Sequence, residues 1–244
     1  MEVEQVSPDE WEAIVTAMKE AESAVVTRAS SSSHSKPTPP AATTTTVSVL
    51  MGVKTAATSS GGTSPYAGGG GGGSGLSDYL APGLDLIFVG DNPGISSSTR
   101  QHHYAHASNH FWPLLRDSGL VPQSFDCSQD HLINTHGIGL TCLCARPSKS
   151  SSELSEEELH DGFALLVAKL EHYRPRFICF NGKGIYEAIT GKRCILGYQG
   201  DDAVVPGIGV FVIPSTSARV KAYSYQQKLN YINKLKQRMF PSSS

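Results

Sequence analysis

The sequence predicts an α/β domain, a three-layer α/β/α sandwich around a central, mainly parallel sheet of four to five strands. Three observations predict it. Four short apolar runs bounded by turn residues read as strands buried on both faces. Segments of helical periodicity fall between and after those runs. From Leu80 onward about 165 residues remain, enough for one domain with its own core.

The elements follow in chain order. Ser7-Pro8-Asp9-Glu10 is a helix start, with Ser7 as cap and Glu10 closing a capping box, and Trp11, Ile14, Val15 and Met18 recur at helical spacing. A short amphipathic helix is therefore expected within residues 1–28. Residues 29–79 are mostly Ser, Thr, Gly, Pro and Ala and include an unbroken run from Gly68 to Gly73. Such a stretch buries too little to offset its conformational entropy and reads as disordered linker. Residues 80–244 form the predicted domain. Leu84–Gly90 is its first strand, followed by Ile138–Leu143, Phe177–Phe180 and Val210–Ile213. Helices are predicted over His110–Ser118, over Ser155–Tyr173 with Leu159, Phe163, Leu166, Val167 and Leu170 on one face, over Lys183–Thr190 and over Tyr225–Met239.

Composition narrows the function classes. No apolar run approaches the ~18 residues of a membrane span, and the N-terminus has no basic region leading into an apolar one, so membrane and secretory readings are not expected. Five cysteines, with Cys142 and Cys179 inside apolar runs, predict reduced thiols and an intracellular setting. The net charge of −2 is uneven. Residues 1–79 carry four Lys/Arg against eight Asp/Glu, whereas residues 80–244 carry sixteen against fourteen. After Asp202 no acidic side chain occurs, while Arg219, Lys221, Lys228, Lys234, Lys236 and Arg238 are all basic. Such a face suits phosphate contact, and equally a helix whose lysines point to water.

In doubly wound sheets ligands bind at the carboxyl ends of the strands. The loops after Val89, Leu143, Phe180 and Ile213 are therefore where chemistry is expected. The first holds Gly90-Asp91-Asn92-Pro93-Gly94 and, further on, Gln101-His102-His103-Tyr104-Ala105-His106-Ala107-Ser108-Asn109-His110-Phe111-Trp112. The last reads Ile213-Pro214-Ser215-Thr216-Ser217-Ala218-Arg219. Together they resemble the two active-site motifs of the mismatch-specific uracil and thymine DNA glycosylases, a branch of the uracil-DNA glycosylase superfamily. Gly137-Ile138-Gly139-Leu140-Thr141 and Phe180-Asn181-Gly182-Lys183 match the same family, in the same order. An isolated Asn-Pro-Gly is a common turn, and the signal comes from four segments over about 130 residues.

The resemblance implies a uracil-DNA-glycosylase-like fold and an enzyme that extrudes a mispaired pyrimidine from the duplex and hydrolyses its N-glycosidic bond, leaving an abasic site. Such chemistry needs a held water, donors for the departing base and a path for the strand. By resemblance Asn92 positions the water and Thr141 helps to hold it. An asparagine amide accepts a hydrogen bond but is no strong base, so modest rates are expected. Tyr104 would stack on the base and His103 would edge it. Ser97, Pro93, Gly94, Asn109 and Asp91 complete the expected pocket. Asp91 departs from the family, which carries an apolar or amide residue there. Strand alternation would turn it away from Asn92 into a polar network, and the alternative is a carboxylate close enough to assist the water. Ser215, Thr216 and Ser217 would grip phosphates, Arg219 would fill the gap left by the base and Ala218 would face the unpaired guanine. Asn181, Gly182 and Lys183 open a helix whose first turn would contact the DNA backbone.

Other chemistries fit the residues less well. His102, His103, His106 and His110 invite a zinc reading, but no cysteine lies at a suitable spacing, and no metal is expected. Ser215 and Ser217 lack the nucleophile elbow of a serine hydrolase, and Asn181-Gly182-Lys183-Gly184 lacks Walker spacing. No cofactor is implied. The expected partners are double-stranded DNA with G·U or G·T mismatches, the abasic product and downstream repair proteins, in a nuclear setting if the chain is eukaryotic. Two rival readings stay open: a non-catalytic mismatch or lesion reader, and an unrelated α/β hydrolase.

Overall fold

The computed structural model describes residues 75–241. The helix expected within residues 1–28, and the linker as far as residue 74, lie outside the described residues. The five strands are β1 (Leu86–Gly90), β2 (Ile138–Cys142), β3 (Phe177–Asn181), β4 (Gly197–Gly200) and β5 (Gly209–Ile213). They pair in the order β2-β1-β3-β5-β4, every pairing parallel except that of β4 with β5. The helices are α1 (Ile95–Arg100), α2 (Phe111–Asp117), α3 (Glu156–Tyr173), α4 (Lys183–Thr190) and α5 (Tyr225–Met239). α2 and α5 contact each other and α5 lies against β4 and β5, whereas α3 and α4 pair together and α4 contacts β3 and β5. This is the three-layer, mainly parallel architecture predicted.

The sequence dictates the layers through period-two alternation. Leu86 and Phe88 of β1, Ile138 and Leu140 of β2, Cys179 of β3 and Phe211 and Ile213 of β5 join one buried cluster with Phe111 and Leu115 of α2 and Ile232, Leu235 and Met239 of α5. The alternate residues of the same strands face the other layer, where Phe180 packs edge-on against Tyr186 of α4 with ring centres 5.6 Å apart. The two long helices start as their sequences demand. Ser155 and Glu158 close a capping box on α3, and Ser224 and Gln227 close one on α5.

Three elements differ from the sequence reading. β4 is an extra strand, and its Gly-Tyr-Gln-Gly sequence has no apolar run. A 3₁₀ segment spans Cys127–His136, with Asp126 and Gln129 forming its capping box. The predicted linker ends too late, because residues 75–79 already pack on the domain. Tyr79 exchanges two 2.9 Å backbone hydrogen bonds with Leu140, and the Ser77 carbonyl is 2.9 Å from His103 Nε2. All five cysteines are free thiols. Among the described residues no helix is long and apolar enough to cross a membrane.

Candidate functional site

A cleft of about 780 Å³ opens at the carboxyl ends of β1, β2, β3 and β5, where a parallel sheet places its ligands. Its first wall is the Asn92-Pro93-Gly94 turn. β2 continues alongside that turn beyond its last residue. The N–H groups of Leu143, Cys144 and Ser148 donate to the carbonyls of Gly90, Asp91 and Pro93 at 2.8, 2.9 and 3.2 Å. The same loop fixes the Asn92 side chain, whose Nδ2 donates to the Arg146 carbonyl at 2.7 Å and to Ser148 Oγ at 2.8 Å. Both amide hydrogens are thereby committed. Oδ1 is the remaining hydrogen-bonding atom of a side chain that borders the cleft. Arg146 is itself anchored by Glu158, 2.5 Å from Nε, and by the Glu153 carbonyl at 2.8 Å.

Asp91 borders the cleft together with an adjoining cavity of about 440 Å³, toward α3 and α4. It is the only acidic side chain on the cleft wall among the described residues. Burial pushes its carboxyl up to about 6, against a partly opposing hydrogen bond from Ser151. Pro93 is buried and Gly94 is exposed at the start of α1, with open space where a Cβ would stand.

Tyr104 forms the aromatic wall. Its ring stacks on Phe111 with centres 3.8 Å apart and planes 22° apart, which covers one face, and the residue borders the cleft. Its backbone adopts φ 54°, a left-handed conformation rare for a non-glycine residue. The hydroxyl lies close over Gly90, where an added Cβ would approach it to 3.1 Å and push the ring by a few tenths of an ångström. Ser97, also on the wall, is buried and accepts from the Ala105 N–H at 3.1 Å. Asn109 lines the mouth while its Oδ1 accepts from Phe111 N–H, fixing the start of α2.

Several predicted roles meet a different geometry. Thr141 does not border the cleft. It faces the α3 side, where its hydroxyl donates to Asp78 Oδ1 at 2.7 Å and Lys169 Nζ lies 3.2 Å away. The reason is parity. β1 and β2 run in register with Gly90 opposite Cys142, and it is Cys142, one residue on, that reaches the cleft. His103 borders the cleft floor but is 2% exposed, and its Nε2 is already bonded to the Ser77 carbonyl. Burial holds its imidazole below the ordinary range, toward the neutral form. Asn181 and Thr216 line the cleft but spend their polar atoms on each other. Asn181 Nδ2 donates to Thr216 Oγ1 and Thr216 N–H donates to Asn181 Oδ1, both at 2.9 Å. They clamp β3 to the loop after β5. Gly182 (φ 137°) and Lys183 border the smaller cavity, and Lys183 Nζ lies 3.3 Å from Glu187 one turn on.

Ser215, Ser217, Ala218 and Arg219 all line the cleft as a second wall. The loop is wound by its own hydroxyls, Ser215 Oγ accepting from Ser217 N–H and Ser217 Oγ from Arg219 N–H, each at 3.3 Å. Arg219 donates across the mouth to the Lys149 carbonyl, so the two walls touch there. The four histidines do not converge. His102 meets Asp130, His103 meets Ser77, His106 meets Ser108, and the His110 N–H meets Thr216. Among the described residues no group of three or more His, Cys, Asp or Glu could hold a metal ion.

Arg146, Ser148 and Ser151 were not singled out in the sequence, and Cys142 was named there only as a buried thiol. A signal for the first three exists, since they follow the second predicted strand, where a strand-end loop must lie. Cys142 is found only by knowing which residue of the run faces forward.

Comparison with known proteins follows the same residues. The family described as the uracil DNA glycosylase superfamily matches residues 77–236. The G/U mismatch-specific uracil DNA glycosylase of Schizosaccharomyces pombe is 39% identical over 170 residues, which is 65% of this chain and 52% of that protein. The chain thus spans about half the length of that curated relative. A solution NMR structure of a uracil DNA glycosylase candidate from Methanosarcina acetivorans is matched over 66% of this chain and 97% of its own, at 22% identity and a TM-score of 0.45.

Proposed function

The chain belongs to the uracil DNA glycosylase superfamily, and from that membership and the strand-end cleft we propose that it hydrolyses the N-glycosidic bond of uracil paired with guanine in DNA. The observation that carries the reading is Asn92. With both amide hydrogens committed to Arg146 and Ser148, its Oδ1 is an oriented acceptor at the cleft edge. A water donating to that oxygen would be aimed at the sugar C1′ of a nucleotide whose base rests on Tyr104. As the water oxygen bonds to C1′, the bond from C1′ to the base nitrogen breaks. The base leaves as an anion with the bonding electron pair, and the proton lost by the water passes to bulk water, from which the departed base is protonated. An amide cannot take that proton in the transition state, so rate comes from positioning and from support of the departing base. Stacking on an aromatic face contributes ~1 to 3 kcal/mol per base.

The second wall suits the strand. Hydroxyls and N–H groups of the Ser215–Arg219 loop would contact phosphates flanking the extruded nucleotide, with Arg219 toward the vacated stack. Lys183 and the basic surface of α5 would add salt-dependent affinity. Thymine and modified cytosines opposite guanine are further candidate substrates, and the fission-yeast relative and the Ser/Thr/Gly-rich arm support a nuclear setting.

Single-turnover excision from one duplex series carrying U, T, ethenocytosine or 5-formylcytosine opposite G tests the reading. Release of uracil by the wild type and its loss in Asn92→Ala is the expected result. No release from any of the four duplexes, with abasic DNA still bound, would replace the enzyme with a lesion reader.

A further inference from the structure

The loop that forms the second wall of the cleft stands on a buried cation. Lys228, at the end of the first turn of α5, is 1% exposed. Its Nζ donates to the Ser217 carbonyl at 3.0 Å and lies 3.4 Å from the Val220 carbonyl. Among the described residues no carboxylate pairs with it. Two effects disfavour an ammonium in this place. It has left water without an anion partner, and it sits at the positive end of a helix whose first turn contains no acidic residue. Burial accordingly lowers its proton affinity, and the neighbouring His110 imidazole is held below the ordinary range first by its own burial and then by the Lys228 charge.

The consequence for the loop is directional. The Ser217 and Val220 carbonyls turn inward to Lys228, and the Thr216 carbonyl turns inward to the His110 N–H at 3.0 Å. Three of the loop's negative ends therefore face away from the cleft. What the wall presents outward is hydroxyls, the Arg219 side chain and a positive charge one backbone layer behind.

We propose that Lys228 is a positioning residue for DNA binding: it draws the carbonyls of the Ser215–Val220 loop inward and leaves an anion-receptive wall whose charge a phosphodiester beside the extruded nucleotide completes. This rests on the glycosylase reading above. The ammonium that the free protein leaves under-compensated is matched when the phosphate arrives, so its stabilising effect appears on binding and not in the chemical step.

The test uses the full chain and a duplex carrying a tetrahydrofuran abasic analogue opposite G, with binding followed by fluorescence anisotropy across a salt series. Lys228→Gln keeps N–H donors for the loop but removes the charge, and Lys228→Arg keeps the charge. Lys228→Gln should weaken binding about tenfold at low salt, as expected for removal of a positive charge that acts on the phosphate through the loop and not by direct contact. The deficit should shrink as salt rises. The single-turnover rate at saturating DNA should stay within about threefold of the wild type, and Lys228→Arg should recover most of the affinity. Wild-type affinity in Lys228→Gln at every salt concentration overturns the proposal. So does a deficit in Lys228→Gln that Lys228→Arg shares in full, or one confined to the rate at saturation. A wild type that shows no preference for the abasic duplex would instead sink the glycosylase reading itself.

Discussion

Asp91 is the residue at which this cleft gives up stability, and Asp91→Asn measures how much. An aspartate in an unfolded chain titrates near 3.8, whereas burial pushes the Asp91 carboxyl up to about 6. Each tenfold change in proton affinity corresponds to 1.36 kcal/mol, so the ionised group opposes folding by about 3 kcal/mol at most. The sign follows from proton counting. Below about pH 4 the carboxyl is neutral in both states and contributes nothing. Between about pH 4 and 6 the unfolded chain has released its proton while the folded domain still holds it, so stability falls as pH rises. Above about 6 the full penalty is present. Asparagine keeps the shape and the hydrogen bond to Ser151 but has no charge to desolvate. Asp91→Asn should therefore match the wild type near pH 4 and exceed it by up to about 3 kcal/mol at pH 7 to 8. For a domain of this size that is a rise in melting temperature of roughly 6 to 12 °C. Thermal and urea unfolding across pH 4 to 8 provide the readout. Parallel stability curves for the two proteins would refute the reasoning, because they would mean that the carboxylate is solvated in the folded state. Single-turnover excision by Asp91→Asn should stay within about threefold of the wild type, since the carboxyl turns toward Ser151 and the smaller cavity. A loss of more than about tenfold that follows a group titrating near 6 would bring Asp91 into the chemistry instead.

Three further substitutions separate the parts of the site. Asn92→Ala should lower single-turnover uracil excision by about 10² to 10⁴ while leaving affinity for abasic duplex within a few-fold, because it removes an oriented acceptor and leaves both walls in place. Asp78→Ala deprives Lys169 of its carboxylate, which is 2.7 Å away with both side chains 9% exposed, and should cost about 3 to 5 kcal/mol in urea unfolding. Thr141→Val removes one hydroxyl from the same buried group and should cost about 1 to 3 kcal/mol in unfolding, with uracil excision unchanged. A large excision defect in a fully folded Thr141→Val protein would return this residue to the water.

The parallel strands were legible because a strand buried on both faces is an unbroken apolar run, as Leu86–Val89 and Val210–Ile213 are. Helix α3 was legible from the spacing of Leu159, Phe163, Leu166, Val167 and Leu170, and α5 as a helical pattern over Tyr225–Met239. β4 had no such signal. Its Tyr198 is held by pairing with Phe211 and by the Arg238 guanidinium 4.0 Å over its ring, and both partners are distant in sequence. Parity was the deeper obstacle at the site. The Thr141-Cys142 pair was recognisable as a strand end, but which of the two faces the cleft depends on the register of β1 against β2. Residues 75–79 continue the composition of the linker, so nothing local marks the point where Tyr79 begins to pair. Lys228 read as one of six basic residues in a tail without acids. Its burial is created by carbonyls 8 and 11 positions away, which no helical periodicity encodes.

The wall geometry explains how a site without a strong base can still be selective about what it holds. Most of its polar atoms are consumed internally. Asn92 commits two donors to Arg146 and Ser148, Asn181 and Thr216 bond to each other twice, and three loop carbonyls turn away toward Lys228 and His110. What remains on the first wall is an acceptor at Asn92 and the Tyr104 ring. The Ser215–Arg219 wall is left with hydroxyls and positive charge. A water and an extruded base suit the first wall, and an anionic backbone suits the second. The two surfaces are not interchangeable, because a phosphate at Asn92 would meet an acceptor oxygen and no donor. On the proposed function the strand would enter in one sense, with its phosphates along the Ser215–Arg219 loop and its sugar turned toward Asn92. The internal hydrogen bonds would then supply the orientation that an amide, unable to take a proton, requires for catalysis.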